Sequence, residues 1–174
     1  CAATAASAAG TYPISAAGGA DTNYAFAYVP GTLTVDPAPL TCTADDKIKV
    51  YGSANPALTI GYAGLRNGDA APATPPAIAC AATGASPVGT YPIALTGGAD
   101  PNYALTLADG TLTVTEKLLT VTAEDKSRLY GDANPALTVT YNGFVAGDDE
   151  TDLDTPPTPT CAATAASAAG TYPI

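Results

Sequence analysis

Residues 40–50 read Leu-Thr-Cys-Thr-Ala-Asp-Asp-Lys-Ile-Lys-Val. Leu40, Cys42 and Ala44 alternate with threonine, and Ile48 and Val50 alternate with Lys47 and Lys49. A period of two is that of a β-strand with one face toward a core. It predicts the apolar set inside and Thr, Ala and Lys outside. The alternation continues through Leu58, Ile60 and Tyr62, then Ile78, Cys80 and Ala82, then Tyr91, Ile93 and Leu95, then Tyr103, Leu105 and Leu107, and last Leu112 and Val114. Turn-forming runs separate these stretches: Tyr51-Gly-Ser-Ala-Asn-Pro56, Asn67-Gly-Asp69, Gly97-Gly-Ala-Asp-Pro101 and Asp109-Gly110. About seven strands at this spacing predict a sandwich or a small barrel. No amphipathic segment reaches helical length. At most 66–71 and 145–153 form one short helical turn.

The pattern is repeated. Gly10-Thr-Tyr-Pro-Ile14 returns as Gly89–Ile93, Gly31-Thr-Leu-Thr-Val35 as Gly110–Val114, and Tyr51-Gly52 with Ala54-Asn-Pro-Ala-Leu-Thr59 as Tyr130-Gly131 with Ala133–Thr138, all at an offset of 79. Residues 161–174 repeat residues 1–14 letter for letter, at an offset of 160, whereas the copy at 80–93 differs. The larger unit is therefore a pair of unlike repeats of 79 and 81 residues. Asp36-Pro-Ala-Pro39 is the clearest linker, because proline donates no ladder hydrogen bond. Thr115-Glu-Lys-Leu118 is its counterpart. On this phase residues 1–39 close one repeat, 40–118 form a complete one, and 119–174 open the next. Linkers this short predict abutting repeats and a stiff array. A unit of this size buries only about 60% of its unfolded surface, so neighbours or cross-links are expected to support it.

Gly89-Thr-Tyr-Pro-Ile93 has two readings: a strand that happens to carry a tyrosine, or a tyrosine corner of the immunoglobulin type, whose hydroxyl ties down a loop. Pro92 predicts an edge position or a gap in the ladder. The fold expected is all-β: tandem small β-sandwiches of the immunoglobulin-like kind, with β-grasp-like repeats as the alternative.

The ordered series Leu119-Thr-Val-Thr-Ala-Glu-Asp-Lys126, Tyr130-Gly-Asp-Ala-Asn-Pro-Ala-Leu137, Tyr141-Asn-Gly-Phe144 and Gly147-Asp148, followed by the Gly-Thr-Tyr-Pro-Ile, Asn-Tyr and Gly-Thr-Leu-Thr-Val motifs, resembles the MBG domain of the YGX type. The resemblance covers the whole chain. It implies a tandem array in a large bacterial surface or secreted protein of the adhesin-like kind, and it implies no catalytic residues. Cysteine departs from the family's pattern.

Composition limits function. The net charge is −10 with only six Lys and Arg, so a nucleic-acid or anionic-membrane partner is not expected. No apolar run is long enough to span a bilayer as a helix. There is no initiator Met, so targeting signals are expected outside this stretch. There is no His, hence no hydrolytic triad, and no activity is expected.

Cys1, Cys80 and Cys161 are equivalent by position, while Cys42 aligns with Val121. Alternation points Cys42 and Cys80 toward one interior, making them the favoured disulfide. Such a bridge contributes about 2–4 kcal/mol in an oxidising compartment. Cys1 and Cys161 have no internal partner. They read either as small buried thiols or as links between chains. Asp148, Asp149 and Asp152 are a Ca²⁺ candidate, while no Cys/His spacing supports zinc and no other cofactor is expected. Their loop lacks EF-hand spacing, and a solvated acidic loop is the plainer reading. Lys47 and Lys126 lie beside acids at turns, which disfavours an isopeptide. The function expected is a structural one, an extracellular filament or cell-surface stalk built by self-association. The alternative is an adhesin repeat that binds a glycan or a surface protein.

Overall fold

The alternation at residues 40–50 does not lie in one sheet. In the computed structural model, which describes all 174 residues, it splits into β3 (Ala38–Ala44) and β4 (Lys47–Val50). The remaining strands are β1 (Gly10–Ile14), β2 (Gly31–Val35), β5 (Ile60–Ala63), β6 (Ala77–Cys80), β7 (Gly89–Thr96), β8 (Tyr103–Ala108), β9 (Gly110–Thr115), β10 (Thr120–Ala123) and β11 (Val139–Asn142). One 3₁₀ turn, Glu150–Asp152, is the only helical element. The fold is all-β, as expected.

Seven strands, β3 to β9, pair only among themselves, in two sheets ordered β5-β3-β8 and β4-β9-β7-β6. β3 runs parallel to β8, from Ala38 opposite Tyr103 to Thr43 opposite Ala108. β4 runs parallel to β9, from Lys47 opposite Leu112 to Val50 opposite Thr115. β5 and β7 join antiparallel, on β3 and β9 respectively. The first and last stretches of the repeat thus lie side by side along its whole length, and both pass from one sheet to the other at the same level. This differs from the wholly antiparallel sheets of an immunoglobulin constant-type sandwich.

Acidic side chains and one glycine make that crossing possible. At the break, backbone amides lose their ladder partners, and a buried unpaired amide is costly. Asp46 Oδ1 accepts from Thr111 N at 2.7 Å, and Asp109 Oδ1 accepts from Leu95 N at 2.8 Å. Gly110 sits directly on the crossing backbone. A Cβ there would come within 2.9 Å of the Ala44 carbonyl carbon and closer still to its oxygen. Pro92 lies where β7 has β9 on one side and β6, which begins its pairing at Ile93, does not reach it on the other. The ladder gap expected of Pro92 is present.

The crossing also overturns one expectation. Leu40, Cys42 and Ala44 are buried, but Ile48 is 71% exposed, Val50 is 41% exposed and Lys49 is only 6% exposed. The inward parity shifts by one between Ala44 and Lys47, as it does between Leu107 and Gly110. A strand that changes sheets must turn its other face inward, and the parallel register then sets Lys49 beside buried Val114. The Lys49 stem packs in the interior, and its ammonium donates to the carbonyls of Ser53 (3.1 Å) and Thr83.

The core between the sheets is small. Leu40, Cys42, Ile93, Leu112 and Val114 are almost wholly buried, with Leu95, Tyr103 and Ala82 around them. In the flanking segments, β1 pairs with β2 and β10 with β11, and the equivalents of core residues lie open. Leu33, Ile14 and Val121 are 39%, 43% and 37% exposed, against 0% for Leu112, Ile93 and Cys42. The chain exposes 11636 Å², about half as much again as the ~7,800 Å² expected of a single globule of its mass. It is therefore not one globule.

The shifted parity has a direct test. Lys49→Ala is expected to destabilise the protein by about 1–3 kcal/mol, through lost packing and two unpaired carbonyls. Ile48→Ala is expected to cost less than about 0.5 kcal/mol. Urea unfolding of the two variants measures the contrast, and the reverse order contradicts the register.

Candidate functional site

Each copy of the Gly-Thr-Tyr-Pro-Ile segment is tied to the preceding loop in the same way. Tyr91 donates to the Pro87 carbonyl at 2.9 Å, Tyr12 to that of Ala8 at 2.8 Å, and Tyr172 to that of Ala168 at 3.0 Å. This is the corner geometry. The turn just upstream is closed reciprocally. Thr83 N donates to Ser86 Oγ at 2.8 Å and Ser86 N to the Thr83 carbonyl at 3.2 Å, with the same pairs at Thr4/Ser7 and Thr164/Ser167.

A second fastening has no counterpart among the sequence-based expectations. Asn55 Nδ2 donates to the Ala82 carbonyl at 2.5 Å while Lys49 holds that of Thr83. In the next copy Asn134 holds Ala163 at 2.7 Å and Arg128 holds Thr164. The Asn-Pro loop and one cation thus pin the Cys-Ala-Ala-Thr turn in both copies. The signal is present as the recurrent Asn-Pro and the basic residue six positions before each Asn, but its targets lie some thirty residues downstream.

All four cysteines are thiols in the structure. Cys42 is buried on β3, and burial pushes its thiol above the usual range. Cys80, half-buried on β6, packs against the same core from the facing sheet. The two are free in the structure and face one core, as alternation expects of them. Cys1 is exposed and Cys161 half-buried.

The three candidate Ca²⁺ ligands do not converge, and no group of three or more His, Cys, Asp or Glu side chains is placed to hold a metal ion. Asp149 caps the 3₁₀ turn, accepting from Thr151 N at 2.8 Å and Thr151 Oγ1 at 2.6 Å. Those bonds, the hydroxyl's first, hold its carboxyl below the usual range. Asp152 accepts from Asp149 N at 2.8 Å. Asp148 Oδ2 accepts from Tyr51 Oη, 97 residues away, at 3.0 Å, and this bond raises the Tyr51 phenol. Lys47 and Lys126 lie in partly exposed pairs with Asp45 (3.8 Å) and Glu124 (3.0 Å). The Glu124 carboxyl is held low by the Thr138 hydroxyl first and by Lys126 second.

Two clefts remain. The first, about 620 Å³, lies within residues 123–174. Its Leu137, Cys161, Ala163 and Ile174 are the equivalents of Leu58, Cys80, Ala82 and Ile93, which are core residues or pack against the core in the complete repeat. It is an open core, not a ligand pocket. The second, about 470 Å³, lies where Tyr51 and Val88 of the complete repeat meet Leu119, Phe144 and Val145 of the next. The exposed aromatics Tyr24, Phe26 and Tyr28 are the equivalents of Tyr103, Leu105 and Leu107, which pack in or against the core of the complete repeat. No helix is long and apolar enough to cross a membrane.

A family model for the MBG domain (YGX type) matches residues 1–34, 40–113 and 119–174. No curated protein and no solved structure matches the chain.

Thiol counting tests the cysteine assignment. Protein purified without reductant and then unfolded is expected to react at four thiols, with Cys1 reacting first in the native state and Cys42 only on unfolding. Two reactive thiols would show that Cys42 and Cys80 are bridged. A band at twice the mass on a non-reducing gel would place Cys1 or Cys161 in a link between chains.

Proposed function

The chain belongs to the MBG domain family of the YGX type, and from that premise we propose that it is a non-catalytic length of an extracellular filament or cell-surface stalk. One observation carries the reading: the first and last stretches of the central repeat are parallel neighbours. A chain whose first and last strands run in the same direction enters the repeat at one pole and leaves at the other. The steps between repeats are short. Asp36 and Pro37 alone separate β2 from β3, and four residues separate β9 from β10. Such connections leave little freedom between units. Each repeat then adds its long dimension to the array. The thirteen residues from the start of β3 at Ala38 to the end of β4 at Val50, at about 3.3 Å each, give about 4 nm.

Location outside the cell is the expectation that the family resemblance carries, and the small core of each repeat favours self-association. The adhesin alternative needs an exposed platform for a glycan or surface protein, and the exposed Tyr24, Phe26 and Tyr28 stand instead at positions that face the core in the complete repeat.

Electron microscopy of several consecutive repeats tests the proposal. The expected image is a rod of uniform width that lengthens by about 4 nm for each repeat. Compact particles, or freely jointed beads that bind glycans on an array, would overturn it in favour of the adhesin.

A further inference from the structure

The pair Tyr51-Gly52 closes the central repeat immediately after β4, where Tyr51 N donates to the Thr115 carbonyl at 2.9 Å. It is therefore anchored to the end of the last strand, at the pole where the chain leaves. From there the Tyr51 hydroxyl crosses to Asp148 of the following repeat at 3.0 Å. Gly52 has φ +81°, and a Cβ on it would collide with the Val145 side chain. Two independent demands meet at this glycine, a left-handed backbone and room for a branched side chain from the neighbour.

The second copy of the motif shows what the contact requires. Gly131 has φ +92° and nothing within 4 Å of a Cβ, and Tyr130 is 72% exposed. The same residues hold the same backbone, and within residues 1–174 it is Tyr51-Gly52 that the following repeat packs against. On the receiving side, Asp148 stands at the position of Asp69, whose carboxylate accepts from Tyr103 at 2.7 Å inside the central repeat. The turn that receives the neighbour is thus a turn that a repeat also uses to hold its own β8, and a carboxylate has lone pairs enough for both phenols.

We propose that Tyr51-Gly52 is a latch that docks on the Val145–Asp148 turn of the next repeat and fixes the angle between successive units. This holds whether the array serves as a stalk or as an adhesin. The latch has a polar element, the phenol on the carboxylate, and a steric element, the bare glycine under the valine. The cleft around it, walled by Val88, Leu119 and Phe144, is the joint.

The test uses the 174-residue chain with residual dipolar couplings measured by NMR. In the parent chain, one alignment tensor is expected to fit both residues 38–115 and residues 119–153. Tyr51→Phe and Gly52→Ala are each expected to require separate tensors, with the order of the second segment reduced at least twofold. Gly131→Ala carries the same backbone penalty without the collision, and is expected to keep the single tensor. Amide shifts of β3 to β9 report whether the central repeat stays folded in each variant. A single tensor retained in both Tyr51→Phe and Gly52→Ala, or one lost equally in Gly131→Ala, would overturn the latch.

Discussion

The parallel contact between the strand that opens the repeat and the strand that closes it is the constraint on which the rest depends. Parallel neighbours cannot be joined by a tight turn, so everything between Val50 and Tyr103 serves as the connection that brings β8 back beside β3. That connection supplies β5, β6 and β7, which complete both sheets. The crossing at Asp46 and Asp109 follows from the same contact. Two strands that change sheets together must do so at one level, and Gly110 with the two carboxylates makes that level passable. The poles at which the chain enters and leaves are then opposite by geometry, not by choice of linker.

A small core follows from a small repeat, and it shifts weight onto fastenings. Burial of a few aliphatic side chains contributes roughly 1.5–3 kcal/mol each, against a large entropic cost of ordering the chain. The repeated tyrosine corner, the Asn-Pro fastening and the reciprocal Thr/Ser turns tie the loops that the core is too small to hold. None of these needs a neighbour. The joint at Tyr51 does, and with the cleft lined by Val88, Leu119 and Phe144 it adds to the four linker residues that couple successive units. Stability of this kind is summed along an array from local terms and interfaces.

Much of this is legible in the sequence, and the limits are physical. The strands of the central repeat are readable because Leu40, Cys42, Ile93 and Leu112 alternate with polar residues in short runs punctuated by glycine and proline. The tyrosine corner is readable as one of two alternatives. Ile48 and Val50 mislead because periodicity is local. It records that a strand alternates, but not that the strand has moved to a sheet where the opposite parity faces inward. Lys49 has a charged tip, and only the two carbonyls awaiting it explain its burial. The parallel register is not legible, because pairing partners more than sixty residues apart leave no mark on composition or spacing. For the same reason the acidic loop reads as a possible cation site, whereas Asp148 serves a tyrosine of the preceding repeat and Asp149 caps a turn. Alternation correctly turns Cys42 and Cys80 toward one core, but sharing a core does not by itself join them.

Single-molecule pulling on the 174-residue chain through its two ends tests the central claim most directly. Force applied at opposite poles loads the β3/β8 and β4/β9 ladders in shear, so their hydrogen bonds must fail together. The prediction is one abrupt rupture for the central repeat, releasing roughly 23 nm, from about 3.4 Å per residue less the folded length. Gradual lengthening at low force, strand by strand and without a rupture, would mean that the two ends of the repeat are not held as parallel neighbours.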